Sequence, residues 1–415
     1  MRDQDFKAQL LPLLECAMEE YPHISRLRSI ADSDAETFAK CEPGFGALGN
    51  ALLKVEELST FRQGNLQYLA NSATSTSMWD LAYWLIELAT LTQNPEAALE
   101  DLFTYTETQK ITVHHVQPLA GVFPEGPQEP QNFPNGVILR QADGIPNIRL
   151  ARRLTQERVG LPMPICCYAL TKEHRYTAPQ LDGETIKNDH VLGSLIDTRQ
   201  SAQHLEDAAL CLSLSTDVKN GVFGICRTFV PDLHTPFAAS LVSWELLPSA
   251  QPASGFPLGQ PEITEGIRLT ALLDRLPGAD AARIRVPMRH LNLFGAHLSS
   301  VEKALHLRVA LETTFLDKDN RTELNDRVGL RAAIVVGTGL EERISIKKTI
   351  KDAYNAASTA VHQGIMEEKN FKKLPPAAEI CQKALWGFLE HDGLPKDKDW
   401  FQIETEGFAP RQHRG

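Results

Sequence analysis

The sequence lacks the features that mark membrane and secreted proteins. No run of about 18 apolar residues occurs, so we expect no membrane-spanning helix. The most apolar helical stretch, residues 79–91, is interrupted by Asp80 and Glu87. Residues 1–5 carry acids where a signal peptide needs a basic patch and an apolar run. We therefore expect a cytoplasmic protein.

The sequence also lacks an excess of basic charge. Lys and Arg total 42 and Asp and Glu total 53, so the net charge of −11 provides no overall positive field for nucleic acid. The acidic residues are unevenly distributed along the chain, since residues 1–100 hold 15 acidic and only 7 basic residues. Residues 283–308 hold five bases and one acid, which allows a local basic surface in the C-terminal part.

Common cofactor and metal motifs are missing as well. The seven cysteines include no C-x-x-C pair, so we expect reduced and mostly buried thiols. The sequence contains no G-x-x-x-x-G-K-[ST], no G-x-S-x-G and no H-E-x-x-H motif. His114 and His115 are adjacent in a strand-like run and should point to opposite faces, which disfavours a shared metal ion. We expect no cofactor and no metal.

One segment, residues 44–49, matches the G-x-G-x-x-G pattern of dinucleotide-binding proteins. That fingerprint needs a preceding strand and an acid about 20 residues later. Here residues 35–40 look helical, and no acid lies between Glu57 and Asp80. We interpret the segment as a turn between two helices.

The change from helical to β-rich and back to helical residue patterns along the chain predicts an α+β fold. The predicted parts are a helical N-terminal region over residues 1–108, an irregular β-rich domain over 109–262, a helical bundle over 263–405 and a tail over 406–415. The predicted strands include residues 111–113, 136–139, 209–214 and 222–230. Residues 248–262 have the composition of a linker.

Short connections between the C-terminal helices predict a bundle of four to five helices. The clearest helix begins at Ser299, because Ser299 and Glu302 have the spacing of a capping box. Gly364 is a typical C-terminal stop. The predicted helices cover residues 267–276, 281–297 with an interruption at Pro287, 299–315, 323–336, 341–362 and 377–389.

The order of several short pieces resembles the HEPN superfamily, and within it the Apea-like group. The pieces are residues 289–292 (Arg-His-Leu-Asn), 304–312, 323–324, 328–333, 342–343, Tyr354 and 358–364 (Ser-Thr-Ala-Val-His-Gln-Gly), with Asp399-Trp400 similar to that group's tail. The resemblance implies an all-α bundle, endoribonuclease activity, RNA as substrate and a homodimer. The β-rich region is more weakly similar to the part that precedes such domains.

HEPN ribonucleases resemble one another in a motif that reads roughly Tyr-Asp-x-Arg-Ser-x-x-Val-His-x-Gly. In this sequence His362 occupies the His position, Ser358 the polar position after the Arg, and Ala357 the Arg position itself. Either the chain is a degenerate, non-catalytic member, or the Arg was replaced so that a toxic nuclease could be produced. We favour the second explanation, because nearly every flanking position keeps the pattern.

The resemblance also suggests roles for polar residues outside the motif. Glu312 and Arg331 match recurring polar positions of the family, and with Tyr354 they would orient the motif residues. The alternative for Glu312 and Arg331 is a buried ion pair that holds the bundle together. A basic helix face would hold RNA phosphates and comprises Arg343, Lys347, Lys348 and Lys351. Acids are interleaved with these bases, so an ordinary solvated face is the alternative.

Helix geometry separates the two motif positions. Five residues rotate by about 500°, which leaves residues 357 and 362 about 140° apart on a single helix. Family members solve this by dimerising, so that two motifs share one cleft.

We therefore expect an RNA-cleaving toxin or phage-defence protein in an inactivated form, with a regulator of unknown type. The alternative is a non-catalytic dimer that binds RNA or a nucleotide, or acts as an adaptor.

Overall fold

The computed structural model has an α+β fold. It describes residues 2–30, 42–58, 65–69, 72–126, 128–149, 151–152, 168–177, 180–181, 197–235, 244–247, 255–296, 298–316 and 324–408. Its helices are α1 (Arg2–Ile30), α2 (Pro43–Leu52), α3 (Met78–Thr92), α4 (Pro95–Thr108), α5 (Thr198–Leu214), α6 (Gln260–Arg275), α7 (Gly278–Phe294), α8 (Ser300–Phe315), α9 (Leu324–Val336), α10 (Leu340–Gln363), α11 (Glu368–Phe371), α12 (Leu374–Glu390) and α13 (Asp397–Glu406).

The strands lie mainly between α4 and α6. They are β1 (Asn65–Leu69), β2 (Ser72–Thr76), β3 (Lys110–Ala120), β4 (Val122–Pro124), β5 (Gln131–Asn132), β6 (Val137–Gln141), β7 (Tyr168–Thr177), β8 (Gln180–Leu181), β9 (Phe223–Gly224), β10 (Cys226–Pro231), β11 (Trp244–Leu246) and β12 (Phe256–Leu258). The main sheet has the order β11-β10-β3-β7-β6-β5, and its strand pairs are antiparallel. β3 and β7 form its longest pair, from Lys110 opposite Thr177 to Pro118 opposite Ala169.

The N-terminal helices share one apolar core with a face of the main sheet. Leu14 of α1, Leu48 of α2 and Leu85 of α3 are fully buried together with Val113 of β3. The G-x-G-x-x-G segment lies inside α2, so its interpretation as a turn between helices is wrong. Its Gly49 packs against the ring of Trp79, where a Cβ atom would clash. Close helix packing explains that glycine.

Residues 209–214, which we predicted as a strand, form the end of α5. The prediction failed because a short apolar run has no period that separates a strand from a buried helix. α5 lies between two cores: Leu205 and Leu212 pack towards the sheet, whereas Leu210 and Leu214 pack into the C-terminal bundle. A helix buried on two sides loses the polar face that normally identifies it. Asp197 caps α5 by accepting a hydrogen bond from the Gln200 backbone N–H.

The six predicted C-terminal helices occur in the predicted order, but α11 and α13 were not predicted. Two further predictions need correction. α7 continues through Pro287 without the predicted interruption. The predicted linker over residues 248–262 is wrong in its second half, because residues 256–258 form β12 and α6 begins at Gln260. Residues 248–254 lie outside the described part of the chain. The Ser299–Glu302 capping box and the left-handed Gly364 that ends α10 are confirmed.

Four cysteines lie in the described part of the chain, and none of the four forms a disulfide bond. Cys16 is exposed, whereas Cys211, Cys226 and Cys381 are buried. Burial raises the pKa of both Cys211 and Cys381 to about 12, so these thiols stay protonated and unreactive. The other three cysteines of the sequence lie outside the described residues.

No helix in the described ranges combines the length and the apolar character that crossing a membrane requires.

A polar cluster fills the layer between α5 and the sheet. The Ser201 hydroxyl lies 2.8 Å from His115 Nδ1 and 3.0 Å from His174 Nε2. Beside them, Lys172 Nζ lies 2.5 Å from His204 Nδ1. Burial lowers the pKa of His115 to about 3, and the positive charge of Arg227 adds to the effect. His115 is therefore neutral in the folded protein at all but strongly acidic pH.

This cluster predicts a loss of stability in mild acid. His115 has an ordinary pKa of 6.5 when unfolded and about 3 when folded, so protons favour the unfolded chain as the pH falls below about 6.5. At about pH 5 this one residue lowers the free energy of unfolding by about 2 kcal/mol. Urea unfolding followed by tryptophan fluorescence at neutral and mildly acidic pH measures the change.

The matched control is His115→Gln, which keeps a polar side chain but does not titrate. Its free energy of unfolding should depend on pH less steeply than that of the unmodified chain. Identical pH dependence of the two proteins contradicts the prediction.

Candidate functional site

α10 carries the motif positions, and one side of it is buried in the bundle. It packs against α8, α9 and α12. The buried residues of this side are Ile346, Ile350, Ala353, Tyr354, Ala356, Ala357 and Ala360. Ala357 is fully buried, with 0% exposure. The position that resembles the family Arg is therefore occupied by a methyl group inside the bundle core.

The opposite side of α10 is accessible to solvent. Lys351, Asn355, Ser358 and His362 recur at intervals of three and four residues, which places them along one side of the helix. His362 is exposed in the last turn before Gly364. Ser358 and His362 thus lie on the same side of α10, whereas Ala357 points about 100° away from Ser358 and about 140° away from His362.

A side chain from α8 meets this side of α10. Arg308 Nη1 donates a hydrogen bond of 3.4 Å to Ser358 Oγ, and its Nε donates one of 2.8 Å to Glu312 Oε1. The guanidinium also lies over the ring of Tyr354, 5.4 Å from the centroid. Glu312 thereby raises the pKa of Arg308, which carries a fixed positive charge.

Tyr354 completes this arrangement from the buried side of α10. Its hydroxyl donates a 2.6 Å hydrogen bond to Glu312 Oε1, the oxygen that also accepts from Arg308. Burial, followed by the charge of Glu312, raises the pKa of Tyr354 to about 12. The phenol therefore remains a donor, and Glu312 remains an acceptor for both neighbours. Four side chains from two helices hold one another in place.

The predicted basic face is present but partly neutralised. Lys347 and Lys351 donate to Asp326 of α9 at 3.2 and 2.7 Å. These two lysines hold the pKa of Asp326 below its ordinary value. Lys348 is exposed beside them, whereas the Nε of Arg343 donates to the Gly337 carbonyl at the end of α9. Three lysines thus lie near the site, and Arg343 has a structural contact.

Arg331 takes a structural position rather than one beside the motif. It is 4% exposed, and its Nε donates to Glu404 Oε1 at 2.7 Å. Its Nη1 donates to the Phe315 carbonyl at 2.8 Å, and its guanidinium lies over the ring of Trp400. The suggested ion pair with Glu312 is wrong, because Glu312 pairs with Arg308. Arg331 instead joins α8, α9 and α13.

The arrangement offers a proton-exchanging group and an anion-binding group on one surface. The imidazole of His362 is exposed, and the guanidinium of Arg308 lies beside Ser358 one turn away. Within the described ranges, no group of three or more His, Cys, Asp or Glu is placed to hold a metal ion. Arg308 was not predicted as a site residue, although its spacing of four residues from Glu312 is a recognisable ion-pair signal.

Comparison with known proteins assigns the chain to no family. No protein-family model, no curated protein and no solved structure matches it.

Proposed function

We propose that the C-terminal bundle is a metal-independent RNA endonuclease of the HEPN type, acting in the cytoplasm as a toxin or phage-defence effector. This chain is its inactivated form, because Ala357 replaces the motif Arg. The observation that carries the proposal is the shared side of α10, on which Ser358 accepts a hydrogen bond from the guanidinium of Arg308 and the exposed His362 lies one helical turn further along. The N-terminal helices and the sheet would sense a signal, block the site or select the RNA.

The proposed reaction uses the RNA itself as the nucleophile. The ribose 2′-oxygen attacks the adjacent phosphorus, the bond from phosphorus to the 5′-oxygen breaks, and a 2′,3′-cyclic phosphate and a free 5′-hydroxyl result. A base must take the 2′-hydroxyl proton, and an acid must protonate the departing 5′-oxygen. His362 would perform one of these transfers, and His362 of a second copy the other.

The missing arginine explains why this form would be inactive. Negative charge accumulates on the phosphoryl oxygens during the reaction, and a guanidinium stabilises it with two parallel hydrogen bonds. The methyl group of Ala357 has no charge and no donor. Loss of one such donor costs about 3–4 kcal/mol of barrier, which is roughly a 100- to 1,000-fold loss of rate.

Restoring the arginine tests the activity. We expect Ala357→Arg to cleave RNA in host cells and to slow their growth, because it returns the charge that stabilises the transition state. Gel analysis of total RNA after induction measures the cleavage. The matched control is Ala357→Arg with His362→Ala, which keeps the guanidinium and removes the proton-transfer group.

Cleavage by Ala357→Arg and none by the double variant is the expected pair of results. Intact RNA and normal growth with a folded Ala357→Arg protein contradict the nuclease proposal.

A second candidate function is a non-catalytic module that binds RNA or a nucleotide, or acts as an adaptor. The full burial of Ala357 favours it, since an arginine there must displace core packing before it can reach a substrate. This candidate predicts that the chain retains RNA without cutting it, and that Ala357→Arg changes neither property.

Both candidates include a homodimer formed through α10. Two large apolar side chains on the accessible side of this helix are exposed, Leu340 by 73% and Ile344 by 55%. They are four residues apart and therefore neighbours on the helix surface. Covering such residues with a second copy would remove apolar surface from water. Ile344 lies about 27 Å along the axis from His362, so the proposed dimer pairs the two α10 helices in parallel, which brings the two His362 residues towards one cleft.

The dimer proposal predicts the effect of a charge in this surface. We expect Ile344→Asp to shift the protein from dimer to monomer, because the carboxylate would be buried without a partner. Light scattering coupled to size-exclusion chromatography gives the mass. Phe401→Asp is the control, since Phe401 of α13 is 77% exposed and lies outside α10. A monomeric unmodified chain, or equal dissociation by both variants, contradicts the prediction.

A further inference from the structure

Arg308 is held in a fixed position at the edge of the candidate site. Glu312 binds its Nε, the Tyr354 ring lies against its plane, and Ser358 accepts from its Nη1. The side chain is 24% exposed, so part of the guanidinium remains accessible. Ser358 and His362 are separated by one helical turn, or about 6 Å along the axis.

We infer that Arg308 contacts an RNA phosphate at the surface formed by Ser358 and His362. In this role it binds the phosphate from α8 and does not replace the transition-state guanidinium that α10 lacks at position 357. The inference rests on the proposed function for the choice of RNA as the ligand.

The hydrogen-bonding capacity of Arg308 supports this role. A guanidinium has five N–H donors, and the contacts with Glu312 and Ser358 use two of them. The remaining donors suit the paired oxygens of a phosphate. Because the neighbours already fix the side chain, binding loses little further rotamer entropy. A flexible surface arginine lacks this advantage.

Two positively charged groups lie on this surface, and an acid partly offsets each of them. Arg308 pairs with Glu312, whose Oε1 also accepts from the Tyr354 hydroxyl. On the same side of α10, Lys351 pairs with Asp326 about two turns before Ser358. A phosphate at Ser358 would therefore meet donors from two helices.

The rival explanation is an ordinary intrahelical ion pair. Arg308 and Glu312 are four residues apart on α8, and such pairs stabilise a helix only weakly. Under this explanation, removing the guanidinium leaves RNA binding unchanged. The two explanations therefore differ in a quantity that can be measured without any cleavage.

The experiment measures binding of a short, fluorescein-labelled, single-stranded RNA by anisotropy at several salt concentrations. All its riboses carry 2′-O-methyl groups, so it binds but cannot be cleaved. We expect Arg308→Gln to weaken binding by about 5- to 10-fold at low salt and to reduce the slope of log affinity against log salt by about 0.7. The control is Arg268→Gln, which also breaks an ion pair in the bundle, with Glu265.

Protection from phenylglyoxal provides a second test on the unmodified chain, independent of how the variants fold. Mass spectrometry should show that the RNA lowers modification of Arg308 and leaves that of Arg268 unchanged.

Three results would overturn the inference: equal RNA binding by Arg308→Gln and the unmodified chain, equal weakening by both variants, or an Arg308 that the RNA does not protect. If Arg308 is required for binding but Ala357→Arg cleaves no RNA, the nuclease proposal fails and the inference stands.

Discussion

Burial of one side of α10 is the constraint on which the candidate site depends. The small side chains of Ala353, Ala357 and Ala360 allow α8 and α12 to approach this helix closely. That packing fixes the rotation of α10, and the rotation leaves Ser358 half-buried beside Arg308 and His362 exposed. An arginine at 357 would disrupt this packing, because overpacking a core lowers the free energy of unfolding by about 1–3 kcal/mol even before a charge is buried. The fold and the family motif thus make opposing demands on a single residue.

Tyr354 connects the core to the candidate site. Its ring belongs to the buried side of α10, while its hydroxyl reaches Glu312, which in turn holds Arg308. Buried polar groups are costly unless paired, so each member of this set restricts the position of the others. The guanidinium is consequently placed by the bundle itself rather than by a flexible loop. Such support is what a group needs if it is to bind a phosphate with little rearrangement.

The sequence predicts the local features of the bundle better than its contacts. The Ser299 cap and the Gly364 stop depend on neighbouring residues, and both are confirmed. α5 was missed because its apolar character comes from two separate cores, which only the tertiary structure reveals. Arg308 was missed for a related reason. Its spacing from Glu312 is local, but its contact with Ser358 joins residues that are 50 positions apart.

The charge distribution limits how the proposed RNA ligand could reach this surface. The chain carries a net charge of −11, so long-range attraction of a polyanion is weak or repulsive. At physiological ionic strength the screening length is about 8 Å, and charges beyond that distance contribute little. Lys348, Lys351 and Arg308 would therefore act only after the RNA has come into contact with α10. Because Asp326 and Glu312 already neutralise part of this charge, affinity would depend on the geometry of the few free donors. An acidic chain with a few fixed hydrogen-bond donors would bind most nucleic acids weakly. It would retain only a nucleic acid whose phosphate backbone matches the positions of those donors.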